Sequence, residues 1–170
     1  LQPRIGPEGL VYPGTCKGKR VDEGRQAALR LDVEEAMARV GEIVWEDEIA
    51  GIAVADPRPF GDVVLVRKED PASYHLAATL DDAADGVTLV TRGADLFTST
   101  HIHRVLQELL QLPVPVWHHH KLLLDDTGEK LAKRRDSRSL ADLRGAGADG
   151  RQLADNLRCG NLPAGISLSE

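Results

Sequence analysis

Apolar residues follow no regular period over residues 1–20. This Gly- and Pro-rich stretch, with a basic patch at Lys17, Lys19 and Arg20, reads as loop. Periodicity begins at Ala28–Val33 (ALRLDV), where apolar and polar positions alternate as in a strand. Glu34–Val40 predicts a short helix ending at Gly41. Glu42–Trp45 and Glu48–Val54 predict short strands. The spacer between them is too short for a crossover helix, so antiparallel pairing is expected. Asp62–Arg67 (DVVLVR) is a β-branched run that predicts a buried strand.

From residue 73 helix and strand alternate. Ser73 suits the N-cap of a helix over Tyr74–Ala84, which Gly86 stops. Val87–Thr91 (VTLVT) predicts a strand. Thr98 or Ser99 begins a helix reaching Gln111, with an apolar stripe of Val105, Leu106, Leu109 and Leu110. Pro113 ends it. Val114–His118 and Lys121–Leu124 read as extended, and Arg138–Leu143 and Arg151–Leu157 as short helices separated by GAGADG. Apolar strands separated by helices favour a parallel α/β sheet, in which ligands sit at the carboxyl ends of the strands.

Composition narrows the class. The 170 residues make one domain or part of a larger one. Aromatics are only 4% of the chain, so an aliphatic core is expected. A net charge of −6 argues against bulk nonspecific nucleic-acid binding, though not against a local basic site. No apolar run is long enough to span a membrane, and LQPRIGPEG has neither the charged nor the apolar region of a signal peptide. Two cysteines, Cys16 and Cys159, do not suggest a disulfide framework, and the cytoplasm is the expected compartment.

Several residues could carry chemistry. Arg92 and Asp95 in TRGADL follow a predicted strand, at the sheet edge where sites form. Arg can clamp a carboxylate or phosphate, but the same two residues also read as a structural ion pair. Tyr74 can face the same crevice or simply pack. Asp81 and Asp82 point to different faces of a helix end and read as solvated. In WHHHK, Trp117 to Lys121, strand alternation lets at most two of the three histidines converge. His101 and His103 lack the i, i+4 spacing of a helical metal pair, so a histidine-built metal site is disfavoured. Tyr12 and Cys16 in YPGTC offer two donors where zinc takes four. In DDTGEKLAKRRDSRSL an acidic turn at Gly128 runs into Lys130, Lys133, Arg134, Arg135 and Arg138. By charge alone this is a solvated turn or a mobile loop that binds phosphate. No P-loop, GxSxG or CxxC is present.

Taken in order, YPGTCKGK, SYHLA, LDDAADGVTLVTRGADL and DDTGEKLAKR resemble the second half of the catalytic domain of glutamate-specific class I aminoacyl-tRNA synthetases. The match is unbroken from about Asp62 to Arg138. KLAKR takes the place of that class's KMSKS loop, which meets the ATP phosphates and the leaving pyrophosphate. After KLAKR the chain has room for two short helices, not a large anticodon-binding region. In this, and in YPGTC, it resembles the shortened paralogue of glutamyl-tRNA synthetase that attaches glutamate to the queuosine base of tRNA(Asp).

The resemblance implies an α/β fold: the second half of a Rossmann-like nucleotide-binding domain with a small inserted β-containing subdomain. It implies a zinc-loop remnant at 1–20, the inserted subdomain at 21–61, the catalytic half with its KMSKS-like loop at 62–136, and short helices at 137–170. Tyr74 and Arg92 would hold glutamate. Asp95, Leu96, Leu123 and Lys133 would contact ATP, and Lys130 and Lys133 would act on the phosphates in catalysis. Tyr12 and Cys16 would be two of four Zn²⁺ ligands. ATP with Mg²⁺, glutamate and the queuosine-bearing anticodon stem-loop of tRNA(Asp) are the implied substrates and partners, with no membrane. Two positions depart from the pattern: Ala132 replaces the usual Ser of the loop, and Ala78 stands where the full-length relative has an Asn facing glutamate. A HIGH-type motif, the first half of the fold and a Cys-x-Cys are expected before residue 1, so this chain is expected to be incomplete by itself. A piece of an ordinary glutamyl-tRNA synthetase and a noncatalytic synthetase-derived module that binds tRNA or protein are the competing readings.

Overall fold

The computed structural model describes residues 3–20, 26–69, 72–132, 137 and 139–169. The chain divides into two compact units, Leu1–His119 and His120–Glu170.

The first unit opens with a small hairpin, β1 (Ile5–Gly6) against β2 (Gly9–Leu10). β3 is only Leu29–Arg30, shorter than the alternation over Ala28–Val33 predicts. Asp32 explains this. It caps helix α1 (Val33–Val40), accepting from the Glu35 amide at 3.2 Å, and a local cap ends the strand. Gly41, at φ 69, closes the helix where an L side chain would be strained. β4 (Val44–Asp47) and β5 (Gly51–Val54) form the expected antiparallel hairpin. β6 (Val64–Val66) pairs antiparallel with β3 outside the main sheet and is half-buried, not buried. A two-stranded ladder cannot cover both faces of a strand.

Helix α2 (Tyr74–Ala84) starts at its Ser73 cap as expected. β7 (Leu89–Gly93) begins two residues later than VTLVT suggested, because the Val87 amide is committed to the Asp82 carbonyl at the helix end. A 3₁₀ turn, Ala94–Leu96, leads into α3 (Ser99–Leu110), and β8 (Val116–His120) follows. The main sheet has the order β5-β4-β8-β7, with β4 and β8 parallel at Asp47 and Trp117. Stretch 21–61 thus contributes β4 and β5 to the sheet that holds β7 and β8.

The core lies around α3. Ile102 and Val105 are 0% exposed, and the apolar face runs through Ile102, Val105, Leu106 and Leu109. Leu110, included in the predicted stripe, is 46% exposed. The few aromatics correct the expectation of a purely aliphatic core. Trp45 and Trp117 are buried edge to face at 5.6 Å, with Phe97 at 4.8 Å from Trp45.

In the second unit β9 (Leu123–Leu124) pairs antiparallel with β10 (Ser167–Leu168). Helix α4 (Leu140–Gly145) starts later than Arg138–Leu143 predicted, because Ser139 and Asp142 form a capping box. Asp149 caps α5 (Gly150–Arg158). Among the described residues no helix is long and apolar enough to cross a membrane.

Candidate active site

Three adjacent strands each place one polar side chain near a carboxyl end: Asp47 on β4, His119 on β8 and Arg92 on β7. The strand order puts His119 between the other two. Asp47 Oδ2 accepts from His119 Nδ1 at 2.7 Å, and Arg92 Nε donates to His119 Nε2 at 3.0 Å. Helices complete the cluster. Arg92 Nη1 donates to the Tyr74 hydroxyl of α2 at 3.1 Å and to His103 Nδ1 of α3 at 3.2 Å. Arg92 Nη2 donates to Thr100, one turn before His103 on the same helix face. His103 Nε2 meets His75 Nδ1 at 3.2 Å, and His75 Nε2 meets the Glu8 carboxylate at 3.2 Å.

The electrostatics follow from burial. Burial, with the Arg92 charge beside it, pulls the His103 imidazole down to about 3, so it is neutral at pH 7. Burial also lowers His119, against the pull of Asp47. Burial works to raise the Asp47 carboxyl, but the Ala50 and Ile49 amides and His119 outweigh it and hold it below the usual carboxylate range. Burial pulls Arg92 below the ordinary arginine value, opposed by Tyr74, Asp82 and Asp95. Arg92 therefore rests its charge on neutral acceptors while a hydroxyl stands beside it. Because Tyr74 accepts from Arg92, its own proton is available to another acceptor. Guanidinium plus hydroxyl is a donor set suited to a carboxylate. Tyr74 and His75 also line a cleft of about 520 Å³ together with Glu8, Tyr12, Arg30 and Arg67.

Of the residues singled out in the sequence, Tyr74 and Arg92 are brought together. Asp95 and Leu96 occupy the 3₁₀ turn directly after β7. Tyr12 and Cys16 share one turn, the Cys16 amide donating to the Tyr12 hydroxyl at 2.6 Å. Lys17 ties that turn to the body through Asp32 at 2.8 Å and Asp62 at 3.0 Å. The pair supplies half of a tetrahedral set. Among the described residues no group of three or more His, Cys, Asp or Glu gathers around a metal position. Leu123 and Lys130 belong to the second unit. There Asp125 accepts from the Thr127 and Glu129 amides, each at 2.9 Å, and Gly128 takes φ 80, so the acidic turn is a tight hairpin whose Leu124 bridges Lys130. Lys133, Arg134, Arg135 and Arg138 lie outside the described residues.

Sequence reasoning missed His75, Thr100, Asp47 and Glu8, and weighed His103 and His119 only as metal donors. One signal was present: alternation in WHHHK sets His119 opposite its neighbours, and His118 indeed turns to Glu48 at 2.7 Å on the other face.

Residues 15–158 match the family model of tRNA synthetases class I (E and Q), catalytic domain. The chain is 49% identical over 152 residues to the glutamyl-Q tRNA(Asp) synthetase of Rhodobacter capsulatus, a match covering 85% of this chain and 55% of that protein. It is 42% identical over 149 residues to the glutamyl-Q tRNA(Asp) synthetase of Deinococcus radiodurans, covering 87% of this chain and 50% of that one. The protein of that name from Nocardia farcinica is also 42% identical, over 155 residues, covering 87% and 47%. The chain thus spans about half the length of the curated relatives it matches. A solved glutamate tRNA ligase from Elizabethkingia meningosepticum, in complex with its amino acid, aligns with a TM-score of 0.49 at 29% identity over 64% of this chain and 20% of that one. With most of its length inside the family model, this chain belongs to the class I tRNA synthetases of the E and Q type, within their catalytic domain.

Proposed function

We propose that this protein activates glutamate with ATP and transfers it to the queuosine base of tRNA(Asp). The observation that carries the reading is the Tyr74–Arg92 pair, a hydroxyl and a guanidinium 3.1 Å apart at the carboxyl edge of the sheet. The choice among synthetases rests on the names of the relatives, which are glutamyl-Q tRNA(Asp) synthetases.

In this reading Arg92 and Tyr74 hold a glutamate carboxylate. Asp95, Leu96 and Leu123 contact ATP. The glutamate α-carboxylate attacks the α-phosphorus in line, the bond to the bridging oxygen breaks, and pyrophosphate leaves. Charge on the phosphates is met by Lys130 and Lys133 of the KLAKR loop, and catalysis is mainly positioning and electrostatic stabilisation. One such preorganised donor contributes roughly 2.7–4 kcal/mol to the transition state. Mg²⁺ accompanies ATP. Tyr12 and Cys16 would hold Zn²⁺ with two further ligands, and the metal would fix the loop that Lys17 ties down.

The test is transfer of labelled glutamate to tRNA(Asp) by the full-length protein. Label is expected on tRNA carrying queuosine and not on the same tRNA lacking it. Label on the 3′ end of tRNA(Glu) instead would sink the reading.

A further inference from the structure

We propose that His103 and His119 are positioning residues that set the plane of the Arg92 guanidinium, each by passing a hydrogen bond on to a carboxylate. The proposal rests on Arg92 as the glutamate-binding group and names what makes it a preorganised one.

The direction of every proton follows from the chemistry of the donors. Arginine only donates. His103 Nδ1, at 3.2 Å from Arg92 Nη1, must therefore accept. Its proton is then on Nε2, which faces His75 Nδ1 at 3.2 Å. His75 accepts there and donates from Nε2 to Glu8. On the other side His119 Nε2 accepts from Arg92 Nε, so its proton is on Nδ1 and goes to Asp47 at 2.7 Å. The guanidinium is thus held at Nε and Nη1 by two neutral rings of opposite tautomer.

The two arms differ in rigidity. Asp47 is 1% exposed and is itself fixed by the Ile49 and Ala50 amides at 2.9 and 2.8 Å and by the His119 amide at 3.1 Å. The other arm ends on Glu8, whose side chain is 52% exposed. His103 has a second task. Its ring meets the Tyr74 ring edge on at 5.5 Å, so the same residue steadies both groups of the donor pair. With Nε, both Nη1 hydrogens and one Nη2 hydrogen engaged, the guanidinium keeps one Nη2–H for a carboxylate and offers it without first losing side-chain entropy.

Amide substitutions separate this arrangement from simple packing. Asn places its polar atoms near Nδ1 of a histidine, and Gln near Nε2. At His103 the contact with Arg92 is through Nδ1, so His103→Asn should preserve glutamate binding better than His103→Gln. At His119 the contact is through Nε2, so His119→Gln should outperform His119→Asn. In ATP–pyrophosphate exchange by the full-length protein, the worse member of each pair should raise KM for glutamate about tenfold, the scale of one hydrogen bond to a charged group, with kcat little changed. Opposite rank orders at the two sites are the expected result. The same order at both, or unchanged KM values where Arg92→Ala raises KM, overturns the relay. If Arg92→Ala itself leaves KM unchanged, the glutamate reading falls and the relay with it. Should the variants not fold, ring-nitrogen NMR of the unmutated protein decides. It should show the Nε2–H form for His103 and His75 and the Nδ1–H form for His119, and the reverse at His103 or His119 rejects the proposal.

Discussion

Arg92 on β7 donates to the Tyr74 hydroxyl at the start of α2 across 3.1 Å, joining residues 18 apart in sequence. Neither residue is unusual for its position. Together they form a cation with a hydroxyl beside it, next to a mixed polar cleft.

Arg92→Ala and Lys133→Ala should fail differently. Arg92 meets a carboxylate already charged in the ground state, so its loss should raise KM for glutamate roughly ten- to hundredfold. Lys133 is proposed to meet charge that develops on the phosphates. Its loss should lower kcat about 100- to 1,000-fold and leave that KM nearly unchanged. Steady-state kinetics of both variants check this; normal glutamate binding by the first with full turnover by the second would remove the site assignment.

Glutamate activation should need no tRNA. The assay is glutamate-dependent exchange of pyrophosphate into ATP by the full-length protein in the absence of tRNA. Exchange that appears only on adding tRNA would place the chain with ordinary glutamyl-tRNA synthetases.

Zinc should not bind this chain tightly, because Tyr12 and Cys16 supply two donors where a closed site takes four. A form extended upstream through a Cys-x-Cys should hold one zinc per chain. Elemental analysis after dialysis against a chelator decides, and stoichiometric metal in the shorter form would contradict the ligand count.

Stability should fall as pH is lowered below neutrality. Burial, with Arg92, His75 and His119 around the ring, lowers His103 from 6.5 in the unfolded chain to about 3 in the fold. Between those values the unfolded state binds the extra proton, so stability rises with pH across the window and is lost on acidification. The slope from one such group approaches 1.4 kcal/mol per pH unit. Urea unfolding at pH 7 and pH 5 should show the loss, and His103→Asn should reduce it. An equal loss in the variant would assign the effect elsewhere.

Core and surface positions of α3 should separate cleanly. Ile102→Ala removes a fully buried side chain and should cost about 2–5 kcal/mol. Leu110→Ala, at a half-exposed position, should stay within about 0.5 kcal/mol. Thermal unfolding of both variants checks this, and comparable losses would mean that the apolar face of α3 is misassigned.

Much of this protein was legible in local signals. Ser73 capping α2, Gly41 closing α1 and the β4–β5 hairpin each depend on a few neighbouring residues, so sequence determined them. From the residues alone Tyr74 and Arg92 stayed open between packing, ion pairing and a site; the family resemblance implied them as a pair, and the fold brings them to 3.1 Å. Where local signals competed, they misled: alternation over Ala28–Val33 lost to the Asp32 cap, and the β-branched run at Asp62–Arg67 became a half-buried ladder with β3.

Only tertiary structure decided which strands are neighbours. The order β5-β4-β8-β7 sets Asp47, His119 and Arg92 in a row, although they lie far apart along the chain. Periodicity in WHHHK separates His119 from His118 and His120, but it cannot say which face is buried. That depends on the helices packed against the sheet, and α2 and α3 bring Tyr74, His75, Thr100 and His103 to the same guanidinium. A hydrogen-bond relay needs each donor within about 3 Å of its acceptor. That condition is set by long-range packing, and no pattern along the chain encodes it.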